Sequence, residues 1–110
     1  MSIVPQMPPA QAAELLKSDH PPRLLDVRMS GEFALAALPG AKLIPLGELP
    51  ARVDEINDWR TEEILVYCHH GMRSLQAAVF LRQQGYARVT NVAGGIDRWS
   101  LEVDPALPRY

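Results

Sequence analysis

At 110 residues, the chain is long enough to bury one hydrophobic core and too short to form two domains. A formal charge of -2, with no cluster of Lys or Arg, disfavours nucleic acid as a partner, and no apolar run approaches the roughly 20 residues that cross a bilayer. The N-terminus lacks the basic and apolar regions of a secretory signal, so we predict a single cytoplasmic domain over residues 1–110 that does not bind membranes.

Helix and strand patterns alternate through the first half of the chain, where prolines separate the segments. The strand over 23–27 is short and apolar, as a buried parallel strand is. Leu49, Val53 and Ile56 recur at helical spacing and predict an amphipathic helix. The predicted elements of this half are a helix over 8–18, a strand over 23–27, a helix over 30–38 with Ser30 as N-cap, a strand over 42–44 and a helix over 47–58.

The second half continues the alternation and contains the clearest strand, "EILVY". Its predicted elements are a strand over 63–67, a helix over 74–84 that Gly85 follows, a strand over 88–92 and a short helix over 96–100. This alternation predicts an α/β fold with a mostly parallel central sheet flanked by helices on both faces. Such sheets bind ligands at the carboxyl ends of their strands, which is where Cys68 is predicted to lie.

Cys68 is the only cysteine of the chain, which excludes an internal disulfide and a four-thiolate zinc site. It lies between the clearest strand and a helix, in "YCHHGMRS". Backbone N–H groups around Gly71, the positive end of the helix dipole and the charge of Arg73 form a setting in which a thiol ionises readily. A lone cysteine is more often a buried hydrophobic residue, but these neighbours favour a nucleophile. Without a second thiol, a sulfur-loaded Cys68 must be resolved by an external nucleophile.

His69 and His70 raise the question of a metal site. Adjacent histidines in a tight turn point in different directions, and no Cys, His or carboxylate lies at a ligand spacing from them. We therefore predict no metal site and place both rings at the mouth of a pocket, where a partly charged imidazole favours an anionic substrate. His20, which precedes two prolines, is predicted to be a surface residue.

Three motifs resemble the signatures of the single-domain rhodanese-like sulfurtransferases and occur in the order found in that family. They are "LLDVRMSGEFALAALPGAKLIPLGEL" (24–49), "YCHHGMRS" (67–74) and "VAGGIDRW" (92–99). The resemblance covers essentially the whole chain. It implies a rhodanese-like fold and a reaction that needs no cofactor.

The resemblance also implies a mechanism. Cys68 would attack the outer sulfur of thiosulfate or a related donor, release sulfite and carry the sulfur as a persulfide. Cyanide or an external thiol, for example that of a small redox protein, would then accept the sulfur. Matching positions make Cys68 the nucleophile. The matching positions also assign substrate binding to His69, His70, Gly71, Met72 and Arg73, and support of the loop to Ser74, Asp26, Arg28 and Glu32.

The chain departs from the family pattern at Ala36-Ala37-Leu38, where a Gly-His pair usually precedes the turn. A polar ring is therefore missing from this corner, which puts in question its contribution to loop support and pocket polarity.

Two other functions stay open. Cysteine phosphatases and arsenate reductases place five residues between their Cys and Arg, whereas four separate Cys68 from Arg73. The narrower loop suits a single sulfur atom better than a tetrahedral phosphate, which favours sulfur transfer. The second alternative is a non-catalytic sulfur-carrier or binding module, because a complete loop with its cysteine also suits loading by a partner enzyme.

Overall fold

The computed structural model describes residues 4–110, so the first three residues of the predicted domain 1–110 lie outside the described part. The strands, in chain order, are β1 (Gln6–Met7), β2 (Arg23–Asp26), β3 (Lys42–Leu43), β4 (Ile64–Tyr67) and β5 (Val89–Val92). The α-helices are α1 (Pro9–Leu16), α2 (Ser30–Leu35), α3 (Leu49–Arg52), α4 (Met72–Gln83) and α5 (Gly95–Glu102).

The strands form one sheet in the order β1-β5-β4-β2-β3, and every pairing in it is parallel. The central strand β4 pairs with β2 on one side and β5 on the other. Asp26 is paired with Tyr67, so β2 and β4 end at the same edge of the sheet. The residues that follow these two strands therefore lie side by side, and the predicted α/β fold with its parallel sheet is confirmed.

Side chains alternate across the sheet and build a core on each of its faces. In β4, Ile64 and Val66 belong to one core, whereas Leu65 and Tyr67 belong to the other. The first core is completed by α3 and α4 through Leu49, Ala77, Ala78 and Leu81, and the second by α1 and α5 through Ala12, Ala13, Ile96 and Trp99. Helices thus cover both faces as predicted, and Cys68 continues the alternation on the α4 side.

The predicted helix over 47–58 is wrong in most of its length. Only α3 is α-helical there, between two 3-10 segments, Leu46–Glu48 and Val53–Trp59. Gly47 is a weak helix former, and Pro50 cannot donate a backbone hydrogen bond, so neither supports a long α-helix. Ile56 has φ of -116° and interrupts the second 3-10 segment. The apolar spacing was still informative, because Leu49 and Ile56 are buried.

Two other helices differ from prediction at their ends. Helix α2 stops at Leu35 because Ala36 is extended, and its N-cap is Met29 rather than Ser30. The Glu32 carboxylate accepts the Met29 N–H, which stabilises this helix start. Helix α4 begins at Met72, two residues earlier than predicted, so Arg73 belongs to its first turn.

The two-residue strand β1 is absent from the predicted elements, because its pairing with β5, and not a local pattern, makes it a strand. His20 is exposed, as expected, and lines a surface cavity at the opposite edge of the sheet from Cys68, together with Trp59 and Arg88. None of the helices within residues 4–110 is both long and apolar enough to cross a membrane.

Candidate active site

Cys68 is the first residue after β4, at the carboxyl end of the central strand. The chain turns within three residues, and α4 follows at Met72. Gly71 makes this short turn possible, because its φ of +106° is a conformation that residues with a Cβ rarely adopt. Its position next to α5 also leaves little room, since an added Cβ would lie 3.2 Å from the Gly94 nitrogen.

The Sγ atom of Cys68 faces the N-terminus of α4. It accepts a hydrogen bond from the Gly71 N–H at 3.0 Å and lies 3.3 Å from the Ser74 hydroxyl. The first N–H groups of a helix have no partner within the helix and carry partial positive charge. Cys68 is only 1% exposed and packs against the core on the α4 side. Its sulfur nevertheless faces the partial positive charge at the N-terminus of α4.

Asn91 of β5 forms hydrogen bonds with both residues that contact the sulfur, Gly71 and Ser74. It is not among the residues identified from the sequence. Its side-chain amide donates to the Gly71 carbonyl at 3.1 Å and to Gln6 at 3.0 Å, and its oxygen accepts the Ser74 hydroxyl at 2.5 Å. Asn91 is almost completely buried. A side-chain amide within a short predicted strand that valines begin and end is the signal that could have identified it, because a buried amide needs partners.

Helix α5 holds the backbone of the loop from the other side. The Ile96 N–H donates to the Cys68 carbonyl at 2.9 Å, and the Asp97 N–H donates to the His69 carbonyl at 3.1 Å. A Cβ on Gly95 would collide with both carbonyl oxygens. The motif "VAGGIDRW" therefore contacts the loop through its backbone, and glycine is required for that close approach.

Arg73 forms a bidentate ion pair with Glu32 of α2. Its two terminal nitrogens donate to the two carboxylate oxygens at 2.7 and 2.9 Å. The hydrogen bonds from Arg73 outweigh the effect of burial and lower the pKa of Glu32 to about 2. The same pairing raises the pKa of Arg73 above its ordinary value. Both groups are charged at neutral pH, so an incoming anion would share Arg73 with Glu32.

Asp26 and Arg28 form a second ion pair whose side chains are completely buried. Arg28 donates to both oxygens of the Asp26 carboxylate, to the Ala36 carbonyl at 2.7 Å and to the Tyr110 hydroxyl at 2.8 Å. Burial opposes the charged form of Arg28, but its hydrogen bonds to Asp26 and Tyr110 outweigh burial and raise its pKa. Neither residue bonds the Cys68 sulfur. They hold the end of β2 against the end of α2.

The corner at Ala36-Ala37-Leu38 is supported by tyrosines. The Leu38 N–H donates to the Tyr67 hydroxyl at 3.1 Å, and the Tyr110 hydroxyl reaches Arg28. The sequence motif lacks a polar ring at this corner, but the rings of Tyr67 and Tyr110, from later parts of the chain, lie near it.

The other predicted substrate-binding residues, His69, His70 and Met72, lie in the loop after Cys68 and at the start of α4. Met72 is 70% exposed, and the exposed His70 ring lies 3.9 Å from the Asp97 carboxylate. The half-buried His69 ring lies between the rings of His70 and Tyr110, and burial, followed by the charge of His70, lowers the pKa of His69. Within residues 4–110, no three His, Cys, Asp or Glu side chains are grouped in a way that could hold a metal ion.

The low pKa of Glu32 predicts a pH-dependent contribution to stability. At pH 7, we expect Glu32→Gln to lower the free energy of unfolding by on the order of 2 kcal/mol. Because the folded pKa of about 2 lies below the ordinary 4.5, the contribution is complete above pH 4.5 and is lost as the pH falls toward 2. Urea unfolding of both proteins at pH 7, 5 and 3 measures this difference.

Glu14→Gln is the matched control for this prediction, because Glu14 is exposed on α1 and lies 3.9 Å from Lys17. Its effect should stay within about 0.5 kcal/mol at each pH. A difference between Glu32→Gln and the natural protein that stays constant from pH 7 to pH 3 would contradict the role of the Arg73 pair.

Comparison with known proteins agrees with this geometry. The family model of the Rhodanese-like domain matches residues 8–102. A protein named Sulfurtransferase from Allochromatium vinosum is 40% identical over 77 residues, which cover 70% of each chain. The Putative sulfur carrier protein YrkF of Bacillus subtilis is 36% identical over 99 residues, which cover 90% of this chain and 52% of that protein. The chain spans about half or less of the length of several curated relatives.

A solved structure of a sulfurtransferase has a similar fold. The structure of the human single-domain sulfurtransferase TSTD1 superposes with a TM-score of 0.77 at 30% identity, and the match covers 91% of this chain and 98% of that one. Residues 8–102, which the family model matches, contain the Cys68 loop and the Asp26–Arg28 and Glu32–Arg73 ion pairs. They also contain Gly94 and Gly95, where α5 lies against the loop. The chain therefore belongs to the rhodanese-like domain family.

Proposed function

We propose that this chain is a sulfurtransferase that carries a sulfane sulfur on Cys68 as a persulfide. The position of Sγ supports this most directly, since it lies at the end of the central strand against the Gly71 N–H and the Ser74 hydroxyl. The proposal takes residues 1–110 as one rhodanese-like domain. A cytoplasmic location stays a prediction from the sequence.

The reaction consists of two thiolate displacements. The Cys68 thiolate attacks the outer sulfur of thiosulfate or of a small-molecule persulfide, and sulfite or a thiolate leaves with the electron pair of the broken S–S bond. An external thiolate then attacks the terminal sulfur of the persulfide, and Cys68 leaves as a thiolate. The Gly71 N–H and the N-terminus of α4 favour negative charge at this point, and no cofactor is consumed.

The burial of Cys68 adds a requirement to this reaction. Because the residue is only 1% exposed, the loop must open for a donor to reach Sγ. Met72 and His70 are the exposed side chains of the loop and are proposed to contact the donor or acceptor first. Arg73 is proposed to bind an anionic group of the donor while it remains shared with Glu32.

A sulfur-carrier role is the second candidate, and the same burial favours it. A buried sulfur is less accessible to free thiosulfate than to a partner enzyme that opens the loop. One relative is itself named a putative sulfur carrier. The cysteine-dependent phosphatase is less favoured, because only four residues separate Cys68 from Arg73.

The experiment that tests the proposal is intact-mass spectrometry of the purified protein after incubation with thiosulfate or with glutathione persulfide. We expect the protein to gain one sulfur atom and, with thiosulfate, to release sulfite in equal amount. Addition of a small thiol should return the protein to its original mass.

The outcomes separate the two candidates. A protein that gains sulfur only from a protein persulfide is a carrier loaded by a partner. An unchanged mass with every donor, small or protein, would show that sulfur transfer is not the function.

A further inference from the structure

Tyr110 contacts three separate parts of the Cys68 site, although it lies far from all of them in the sequence. Its ring stacks on His69 with centroids 3.9 Å apart and an angle of 10° between the planes. Its hydroxyl lies 2.8 Å from Arg28 and 2.8 Å from Glu32. It therefore connects the loop after β4, the turn after β2 and helix α2.

The directions of these hydrogen bonds are determined by chemistry. An arginine only donates, so the Tyr110 hydroxyl accepts from Arg28 and donates its own proton to Glu32. The Glu32 carboxylate then has four donors, namely the Met29 N–H, both terminal nitrogens of Arg73 and Tyr110. With this set of donors, the carboxylate is held in one orientation toward Arg73.

His69 is held on several sides. Its carbonyl accepts the Asp97 N–H, its ring is stacked between Tyr110 and His70, and a backbone oxygen of Tyr110 accepts a hydrogen bond from the ring. Its Nε2 atom is buried without a partner. The ring of the residue next to the nucleophile therefore lies between His70 and Tyr110, and removal of Tyr110 would leave one face of this ring without a contact.

Tyr110 lies at the surface of the protein and outside both hydrophobic cores. Tyr110 is 39% exposed, and its neighbour Arg109 pairs with Asp97 at the surface. Exposed ion pairs contribute about 0–1 kcal/mol to stability. Variants at Tyr110 are therefore expected to fold, which lets an effect on the site be measured separately from an effect on the fold.

We propose that Tyr110 is a positioning residue for sulfur transfer, which holds the His69 ring and the Glu32–Arg73 ion pair in place around the Cys68 loop. This inference rests on the proposed function and adds a residue outside all three sequence motifs. Tyr110 acts through His69 and Glu32 and does not itself react.

The test compares Tyr110→Ala and Tyr110→Phe with Tyr86→Phe. The last is a matched control, because the Tyr86 hydroxyl bonds the carbonyls of Val53 and Ile56, in another part of the protein. In single-turnover sulfur loading of Cys68 from the best donor, Tyr110→Ala should lower the maximal rate by about tenfold with little change in the half-saturating donor concentration. Tyr110→Phe keeps the stack on His69 and should recover part of that loss, and Tyr86→Phe should load at the natural rate.

Amide hydrogen exchange tests the same inference without any activity. Exchange at His70 and Gly71 should accelerate by about fivefold or more in Tyr110→Ala and stay unchanged in Tyr86→Phe. Unchanged exchange or a natural loading rate in Tyr110→Ala would overturn the positioning role. If the natural protein loads no sulfur from any donor, the proposed function fails while the exchange measurement still decides whether Tyr110 orders the loop.

Discussion

Cys68→Ser is expected to gain no sulfur from any donor and to lose at least about a thousandfold in turnover. A serine hydroxyl is nearly the size of the thiol and can occupy the same position beside Gly71 and Ser74. It stays protonated at neutral pH, however, and cannot attack a sulfane sulfur as a thiolate does. Sulfite release and intact mass, measured side by side on the natural and variant proteins, check this expectation.

Two controls make the result specific. The thermal midpoint of Cys68→Ser should stay within a few degrees of the natural protein, which shows that the fold is intact. A small aryl phosphate should not be hydrolysed in a Cys68-dependent manner by the natural protein, which separates sulfur transfer from phosphatase chemistry. Sulfur gain by the serine variant would place the reactive group elsewhere.

Asp26→Asn is expected to lower the free energy of unfolding by about 3–5 kcal/mol, the largest stability effect we predict. The side chains of Asp26 and Arg28 are completely buried, and the carboxylate accepts three Arg28 donors, two from the guanidinium side and one from the backbone. Asparagine has nearly the same shape but leaves the guanidinium buried without a counter-charge. Since a domain of this size is stable by roughly 5–15 kcal/mol, urea unfolding should show a clearly lower midpoint.

Glu62→Gln is the matched control for the buried pair. Glu62 makes the same type of ion pair with Arg23 at 3.0 Å, but both side chains are more than 40% exposed. Its loss should cost at most about 1 kcal/mol. Equal effects of the two substitutions would mean that burial does not give the Asp26–Arg28 pair its importance.

The fold was predictable because its signals are local. The strand around Val66 is a continuous apolar run, and the strand around Leu25 has two buried leucines at its centre, as burial on both faces of a sheet requires. The strand predicted over 63–67 agrees with β4 within one residue, and Gly85 follows the C-cap of α4. The segment 47–58 was mispredicted because its apolar spacing reports which side is buried, and that spacing is compatible with 3-10 turns as well as with one α-helix.

The candidate site was predictable only in part, for a related reason. Cys68, Gly71 and Ser74 are neighbours in the chain, so a single motif contains them. The partners of these residues come from elsewhere. Asn91 and Tyr110 both lie outside the three motifs, so the motifs do not predict their contacts with the loop.

By itself, the sequence determined the α/β architecture, the location of the lone thiol at the end of the central strand and the glycine that permits the turn into α4. These depend on spacing and on the conformational limits of residues close together in the chain. Only the tertiary structure decided that Arg73 is paired with Glu32, that Arg28 is buried with Asp26, and that Tyr110 stacks on His69. The Arg73–Glu32 and Tyr110–His69 contacts join residues that are adjacent only after the sheet and its helices have packed, so no local pattern contains them. Asp26 and Arg28 are two residues apart in the chain, but their complete burial depends on the same packing.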